Sequence, residues 1–154
     1  MNRQHPNSLN PNFEWPRLTI RLKVVACFLA GSSGLTNLRI TLQLMSTIFT
    51  KILNREIPAE FVYEDEHVFA IRDISPQAPV HIIIITKSEI SGLAGLPDVG
   101  DHIAILNAAK VIGEQQNLND GYRLVINQGN DGGQTVNHLH AHLLGGRKMG
   151  WPPG

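Results

Sequence analysis

The sequence predicts an α+β domain with a mainly antiparallel sheet, on three observations. Short β-branched and aromatic runs follow one another closely along the chain, which is typical of antiparallel hairpins. Residues 80–86, VHIIIIT, are dense enough in β-branched side chains for a central strand. One long stretch, residues 101–116, places Ile105, Ala108, Ala109 and Ile112 on a single helical stripe.

The predicted elements follow in chain order from the same patterns. Residues 48–53 have helical spacing, and Pro58 lies soon after them as a helix breaker. Residues 61–64 and 67–71 read as two strands around a polar turn, and a proline-stiffened loop precedes the strand over 80–86. After the long helix, the turn 119–121 leads to a strand over 122–127. A glycine-rich loop over 128–135 then leads to a last strand over 136–144.

Composition and charge bound the class of protein. The chain has 154 residues, 42% of them apolar and 17% charged, as expected of one globular domain. Of the 13 basic and 13 acidic side chains, five basic and one acidic lie in residues 1–44, so residues 45–154 carry a net charge of −4. An acidic domain argues against a nucleic-acid partner. The single cysteine, Cys27, excludes a disulfide framework and a cysteine-based zinc site.

Residues 1–44 differ from the rest of the chain. They are rich in Asn and Pro at the start, and their apolar run 24–31 is too short to span a bilayer, so no membrane partner is expected. We expect an N-terminal extension that is disordered, a targeting segment, or a mis-called start with the natural start at Met45. The domain is then 45–154 and the protein cytoplasmic, or organellar if residues 1–44 act as a transit peptide.

Three histidines at alternate positions, His138, His140 and His142, are the main chemical feature. Because side chains alternate across a strand, the imidazoles would share one face, with Leu139 and Ala141 on the other. Such a set can bind zinc, with His81 or an acid as a fourth ligand. It can also act by nucleophilic attack on phosphorus, with neighbouring imidazoles moving protons. Purely structural histidines are the third interpretation.

The loop before the triad, residues 127–135 (NQGNDGGQT), favours a phosphate site. Glycines allow backbone N–H groups to turn toward an anion and allow a phosphate to approach closely. Taken alone, this loop is more simply a hairpin turn. Because it leads directly into three aligned histidines, we expect it to contact phosphate.

These motifs resemble the histidine triad (HIT) superfamily, and within it the histidine triad nucleotide-binding (Hint) branch. The segment 138–144, HLHAHLL, matches the triad motif. The flanking segments 132–135 and 145–154, together with 48–52, 56–59 and 73–79, resemble the Hint branch. The resemblance covers about residues 46–154.

The resemblance implies a HIT-like fold: a five-stranded antiparallel sheet, a short N-terminal helix and a long helix, with two sheets joined across a homodimer. It implies binding of purine nucleoside monophosphates and hydrolysis of nucleoside phosphoramidates, such as adenosine 5′-monophosphoramidate or AMP linked to a lysine amine. No cofactor and no metal is expected.

The resemblance also implies a role for each matching residue. His140 would be the nucleophile on the α-phosphorus, His138 and His142 would flank it, and His81 would lie near the phosphate. Thr135 would contact phosphate or leaving group, where the family commonly has Ser, and Asp73 would bind the ribose hydroxyls. The remaining matches are the phosphate-side contacts Asn127, Gly133 and Gln134, the apolar base slot of Ile48, Phe49, Ile52 and Ile71, and the tail residue Trp151, which would reach the partner's site.

Two departures bear on base preference: Ile71 stands where an aromatic residue is common, and residues 93–100 are slightly short for the branch. Three other functions remain open from the sequence. They are a purine nucleotide-binding or scaffold dimer with incidental catalysis, a dinucleoside polyphosphate hydrolase, and a zinc protein that uses the triad. The ending 151–154, WPPG, favours the Hint branch over the polyphosphate hydrolases.

Overall fold

The predicted α+β architecture is confirmed in a computed structural model, whose described part comprises residues 46–98 and 102–153. The expected extension over 1–44 and the expected start at Met45 lie outside these residues. The helices are α1 (Ile48–Leu53) and α2 (His102–Gln115), and Leu93–Gly95 forms a 3-10 turn. The strands are β1 (Phe61–Glu64), β2 (Val68–Arg72), β3 (Val80–Thr86), β4 (Tyr122–Val125) and β5 (His140–Gly145).

The five strands form one antiparallel sheet in the order β1-β2-β3-β5-β4. The β-branched run of β3 is central, as its composition predicts, and pairs with β2 on one side and β5 on the other. This order places the histidine strand β5 directly beside β3, which carries His81. The fold therefore brings two segments more than 50 residues apart into one ladder.

Each face of the sheet is covered by one helix. One face packs the predicted stripe of α2 against the alternating residues Leu139, Ala141 and Leu143. The other face packs Phe49 and Ile52 of α1 against residues of β2 and β3: Phe69, Ile71, Ile83 and Ile85. The alternation predicted for the triad segment is confirmed, because the apolar members face α2 and the histidines face the α1 side.

Three of the predicted strands have different bounds in the structure. The strand predicted over 136–144 begins only at His140, because the N–H of Leu139 leaves the ladder and donates to Ile90 O over 2.6 Å. The strand predicted over 122–127 ends at Val125, and the strand predicted over 67–71 is shifted by one residue. His138 therefore lies in a bend before the strand. Among the residues that the structure describes, no helix is long and apolar enough to cross a membrane.

Candidate active site

The histidine cluster lies where β3 and β5 meet under the N-terminus of α1. The ring centroids of His140 and His142 are 5.1 Å apart, as are those of His142 and His81. Phe49 of α1 contacts both His138 and His140 edge-on, with centroid distances of 5.8 and 5.1 Å. The structure thus brings together the four histidines that the sequence singled out, and it adds an aromatic lid from α1.

His140 has one nitrogen fixed and one available. Its Nδ1 lies 2.6 Å from the backbone oxygen of His138, which can only accept, so Nδ1 carries the proton and donates. In the neutral imidazole the lone pair is then on Nε2, and no described residue forms a hydrogen bond to that atom. The side chain is only 4% exposed overall. The backbone therefore fixes which nitrogen of His140 carries the lone pair in the neutral ring.

His138 is held differently from its two companions. Its Nε2 lies 2.7 Å from the oxygen of Thr86, and its Nδ1 lies 2.9 Å from the hydroxyl of Thr47. The side chain is 1% exposed, and both ring nitrogens have protein partners. Contact between His138 and a phosphate or leaving group would therefore require one of these hydrogen bonds to break.

His81 and His142 form a second pair that reaches Asp73. The N–H of Gln77 donates to His81 Nδ1 over 3.1 Å, which leaves Nε2 as the protonated nitrogen of the neutral ring. That Nε2 lies 2.9 Å from His142 Nδ1 and 3.3 Å from an oxygen of Asp73. The predicted ribose ligand and two of the predicted phosphate-side histidines are therefore adjacent.

Burial lowers the pKa of His81, His138 and His142. For His81 the neighbouring Asp73 partly offsets the effect of burial, whereas the nearby imidazoles of His140 and His81 lower the pKa of His142 further. For His138, the hydrogen bond to Thr86 and the charge of Glu89 oppose the loss of solvation. All three rings are consequently neutral at pH 7, as nucleophilic and proton-accepting chemistry requires.

These shifts predict that the protein loses stability between pH 7.5 and 5.5. Above the unfolded pKa of about 6.5 both states carry neutral rings, so the stability is fully present there. As the pH falls from about 6.5 toward the lowered folded pKa values, the unfolded chain binds protons that the folded chain does not, and the free energy of unfolding decreases. Urea titrations in the presence of a chelator measure this decrease.

A matched variant separates His138 from the other groups. His138→Asn is expected to be less stable than the parent at every pH. Its stability should nevertheless decrease less on acidification, because the variant lacks one of the buried imidazoles that resist protonation in the folded state. A parent protein whose unfolding midpoint is constant from pH 7.5 to 5.5 would contradict the prediction. The range stops at pH 5.5 so that carboxylates contribute little.

An apolar slot of about 390 Å³ runs beside the histidines. It is lined by all four residues predicted for the base, Ile48, Phe49, Ile52 and Ile71, and by Asp73. His142, Ile83 and Ile71 are direct neighbours across β5, β3 and β2, so they mark two interstrand spacings, about 10 Å. The slot therefore begins at the histidines and leads away from them across the sheet.

Seven further residues of the slot were missed from the sequence: the ion-paired Glu60 and Arg72, and the five apolar residues Ile57, Pro58, Ala59, Ile74 and Ile83. Ile83 had a usable signal, because it alternates with His81 on β3 and must share its face. The other four apolar residues lie in loops, where no period indicates direction. Ile74 is fully exposed and Ile48 is 49% exposed, so the rim of the slot is apolar as well.

The glycine-rich loop has the backbone that its sequence predicts, but not all of its side chains are free. Gly133 has φ +74°, and a Cβ at Gly132 would clash with the backbone oxygen of Gln128, so both positions require glycine. Gln134 donates to Ser91 O and Val136 O and accepts from Gly129 N–H. Gln134 therefore ties the loop to residue 91 rather than standing open to a ligand.

The remaining predicted residues lie apart from the histidine contacts. Asn127 donates to Gly133 O over 3.4 Å, within the glycine-rich loop, and Thr135 is exposed at the end of that loop. Trp151 is 85% exposed on the C-terminal tail. A role for Trp151 in catalysis depends on a second copy of the chain and stays a prediction.

A metal ion would fit one set of side chains in this region better than the triad. Ligand atoms of Asp73, His81 and His142 all lie within 4.8 Å of one another. The triad itself does not offer three converging nitrogens, because both nitrogens of His138 and one of His140 are bonded to protein groups. Zinc bound by the triad, one of the three interpretations from the sequence, is therefore disfavoured by the geometry.

Comparisons with known proteins identify a family. The HIT domain family matches residues 54–149. A protein from Zea mays named 14 kDa zinc-binding protein is 57% identical over 113 residues, which cover 70% of this chain and 88% of the relative. An Arabidopsis thaliana protein named adenylylsulfatase HINT1 is 50% identical over 113 residues, covering 70% of this chain and 76% of the relative.

Solved structures show the same fold. A HIT family hydrolase from Legionella pneumophila superposes with a TM-score of 0.68 at 46% identity, covering 71% of this chain and 100% of that one. A histidine triad nucleotide-binding protein from Candida albicans superposes with a TM-score of 0.60 at 32% identity, covering 70% of this chain and 83% of that one. The matching segment, the fold and the placement of the histidines lead to one conclusion: the chain belongs to the HIT domain superfamily, in its Hint-like branch.

Proposed function

We propose that the protein is a nucleotide hydrolase that cleaves the P–N bond of purine nucleoside 5′-phosphoramidates through a nucleotidyl-histidine intermediate. The observation that carries the proposal is the fixed Nδ1–H of His140, which leaves Nε2 as a nucleophile beside an apolar slot. The hydrolase and adenylylsulfatase names of the relatives support attack at the phosphorus of a nucleotide.

The slot supports a nucleotide as substrate. Its walls are apolar along the side of α1, which suits a base, and Asp73 lies at the end nearest the histidines, where it would accept hydrogen bonds from ribose hydroxyls. The α-phosphate would then lie at His140 and His142. The glycine-rich loop would supply donors to the phosphate oxygens, whose charge increases in the transition state.

The reaction would take place in two steps. In the first, the Nε2 lone pair of His140 forms a bond to the α-phosphorus while the P–N bond breaks and the departing nitrogen takes a proton, from Thr135 or His142. In the second, water attacks the same phosphorus, His140 leaves, and the nucleoside monophosphate is released. The proton of that water replaces the one that Thr135 or His142 gave to the departing nitrogen, so each group ends the cycle in its starting state.

Turnover of a fluorogenic adenosine phosphoramidate by the full chain, with and without a chelator, tests the proposal. We expect activity that survives chelation and exceeds the activity toward adenylylsulfate and a dinucleoside polyphosphate. AMP binding without turnover would instead indicate the nucleotide-binding or scaffold function. A preference for adenylylsulfate would instead indicate an adenylylsulfatase, the activity for which its Arabidopsis relative is named.

A second candidate function is zinc binding at Asp73, His81 and His142, favoured by their mutual distances and by the name of the maize relative. Two imidazoles and a carboxylate are a common zinc ligand set, and neutral rings are the form that binds metal. Zinc at this site would act as a Lewis acid on a phosphate oxygen. Loss of turnover on chelation, restored by zinc, would favour this candidate.

We also propose that the protein forms a homodimer, as the resemblance implies. Ile103 and Leu106 of α2 are 67% and 57% exposed, and Tyr122 on the edge strand β4 is 40% exposed. Apolar side chains beside an edge strand suit pairing with a second copy. Sedimentation should show a dimer for the parent and a monomer for Leu106→Glu, whereas Lys110→Glu on the same helix should stay dimeric. A monomeric parent would contradict the proposal.

A further inference from the structure

Thr47 connects helix α1 to the triad segment. Its hydroxyl is the N-cap of α1 and accepts the N–H of Thr50 over 3.2 Å. The same oxygen lies 2.9 Å from Nδ1 of His138, which is 91 residues away in the sequence. One hydroxyl therefore contacts both the start of the slot-lining helix and a buried histidine.

The direction of the hydrogen bond between Thr47 and His138 follows from the surrounding groups. The oxygen of Thr86 can only accept, so His138 Nε2 must carry a proton. If Nδ1 also donated, the ring would be a buried cation, which its burial strongly disfavours. Nδ1 is therefore the lone-pair nitrogen, and the Thr47 hydroxyl donates to it while accepting the backbone N–H of Thr50. The Thr50 hydroxyl, 3.1 Å from that of Thr47, donates its own proton to Glu89.

The backbone of His138 in turn holds the ring of His140 through a hydrogen bond. The oxygen of His138 accepts the Nδ1–H of His140, and that bond decides which nitrogen of His140 keeps a lone pair. Phe49, two residues after Thr47, contacts both imidazole rings and also lines the slot. Phe49 therefore belongs both to the wall of the slot and to the contacts that hold the His140 ring in place.

We infer that Thr47 is a positioning residue for His140: its hydroxyl locks His138, and the locked backbone at His138 aligns the nucleophile with a substrate seated against α1. The inference rests on the proposed function of His140. It assigns Thr47 no contact with substrate, so its loss should slow the chemical step while leaving binding nearly unchanged.

Thr47→Val and Thr47→Ser test the inference through a split between kcat and KM. Val removes the hydroxyl at nearly constant shape, and we expect kcat to fall about 10-fold while KM stays within about 2-fold, because misalignment affects the transition state. Ser keeps the hydroxyl and should retain kcat within about 2-fold. Lys51→Gly is the matched control, because it weakens α1, in which the Lys51 N–H donates to the backbone oxygen of Thr47, while it keeps the Thr47 hydroxyl and its contact with His138.

An NMR measurement separates this inference from the proposed function. In Thr47→Val the His138 Nδ1 resonance should move downfield, because its lone pair loses a hydrogen bond, and this readout needs no substrate. An unchanged Nδ1 resonance, or an equal fall of kcat in Lys51→Gly, would overturn the positioning role. A parent without phosphoramidase activity would overturn the proposed function and the alignment of the nucleophile, while the resonance would still decide the Thr47–His138 bond.

Discussion

His140→Ala is expected to lower kcat/KM for an adenosine phosphoramidate by at least about 10⁴-fold, the size of effect seen when a covalent nucleophile is removed. The structure gives no substitute, because both nitrogens of His138 are bonded to protein groups and His142 Nδ1 faces His81. The measurement is steady-state turnover, with AMP affinity determined in parallel by calorimetry. Affinity should change little, since the slot is untouched.

Two further observations would identify the loss as that of a nucleophile. His140→Gly should regain part of its activity with added imidazole, which can occupy the vacated position. Acid-quenched parent enzyme should carry a covalent nucleotidyl group that both variants lack. An alanine variant with a tenth or more of the parent's activity would show that His140 does not attack phosphorus.

The nature of the leaving group separates the proposed substrate from that of the Arabidopsis relative. An amine leaves phosphorus readily only after its nitrogen is protonated, whereas sulfate leaves as a stable anion. Both substrates share an AMP half, so both should use the slot and Asp73 alike. The two activities should therefore respond equally to changes in the slot and differently to Thr135→Val, which removes a candidate proton donor.

The part of the fold that could be predicted from the sequence is the part set by local periodicity. The β-branched run of β3 and the helical stripe of α2 depend on near neighbours, and both elements were predicted correctly. The start of β5 was not, because it depends on the hydrogen bond from Leu139 to Ile90, a partner 49 residues away. A repeat of histidines indicates a shared face but not where a ladder ends.

The site was predictable to a similar degree. The four histidines, Asp73 and four walls of the slot came from the triad and from resemblance, and the structure brings them together. The contacts of Thr47 and Gln134 could not be predicted, since an N-cap or a loop amide shows no long-range partner in a sequence. Such tertiary hydrogen bonds distinguish a group that meets substrate from one that holds another group in place.

Ala59→Trp is the substitution with the next largest expected effect. Ala59 is half-buried in the slot wall, in the loop before β1. An indole there would occupy the space proposed for the base. Losing burial of a purine face, on the order of 100 Å², costs about 3 kcal/mol, so KM should rise about 100-fold. Because the histidines are untouched, kcat should change less than about 3-fold.

Two controls test whether the rise in KM of Ala59→Trp comes from lost binding of the base. Ala94→Trp places the same side chain on the exposed 3-10 turn, away from the slot, and should leave KM unchanged. A ribose 5-phosphoramidate without a base should be hydrolysed equally by the parent and by Ala59→Trp, since neither can use the slot for it. If KM for the adenosine substrate stays within about 3-fold in Ala59→Trp, the base binds elsewhere. The apolar walls along α1 would then be part of the core rather than of the site.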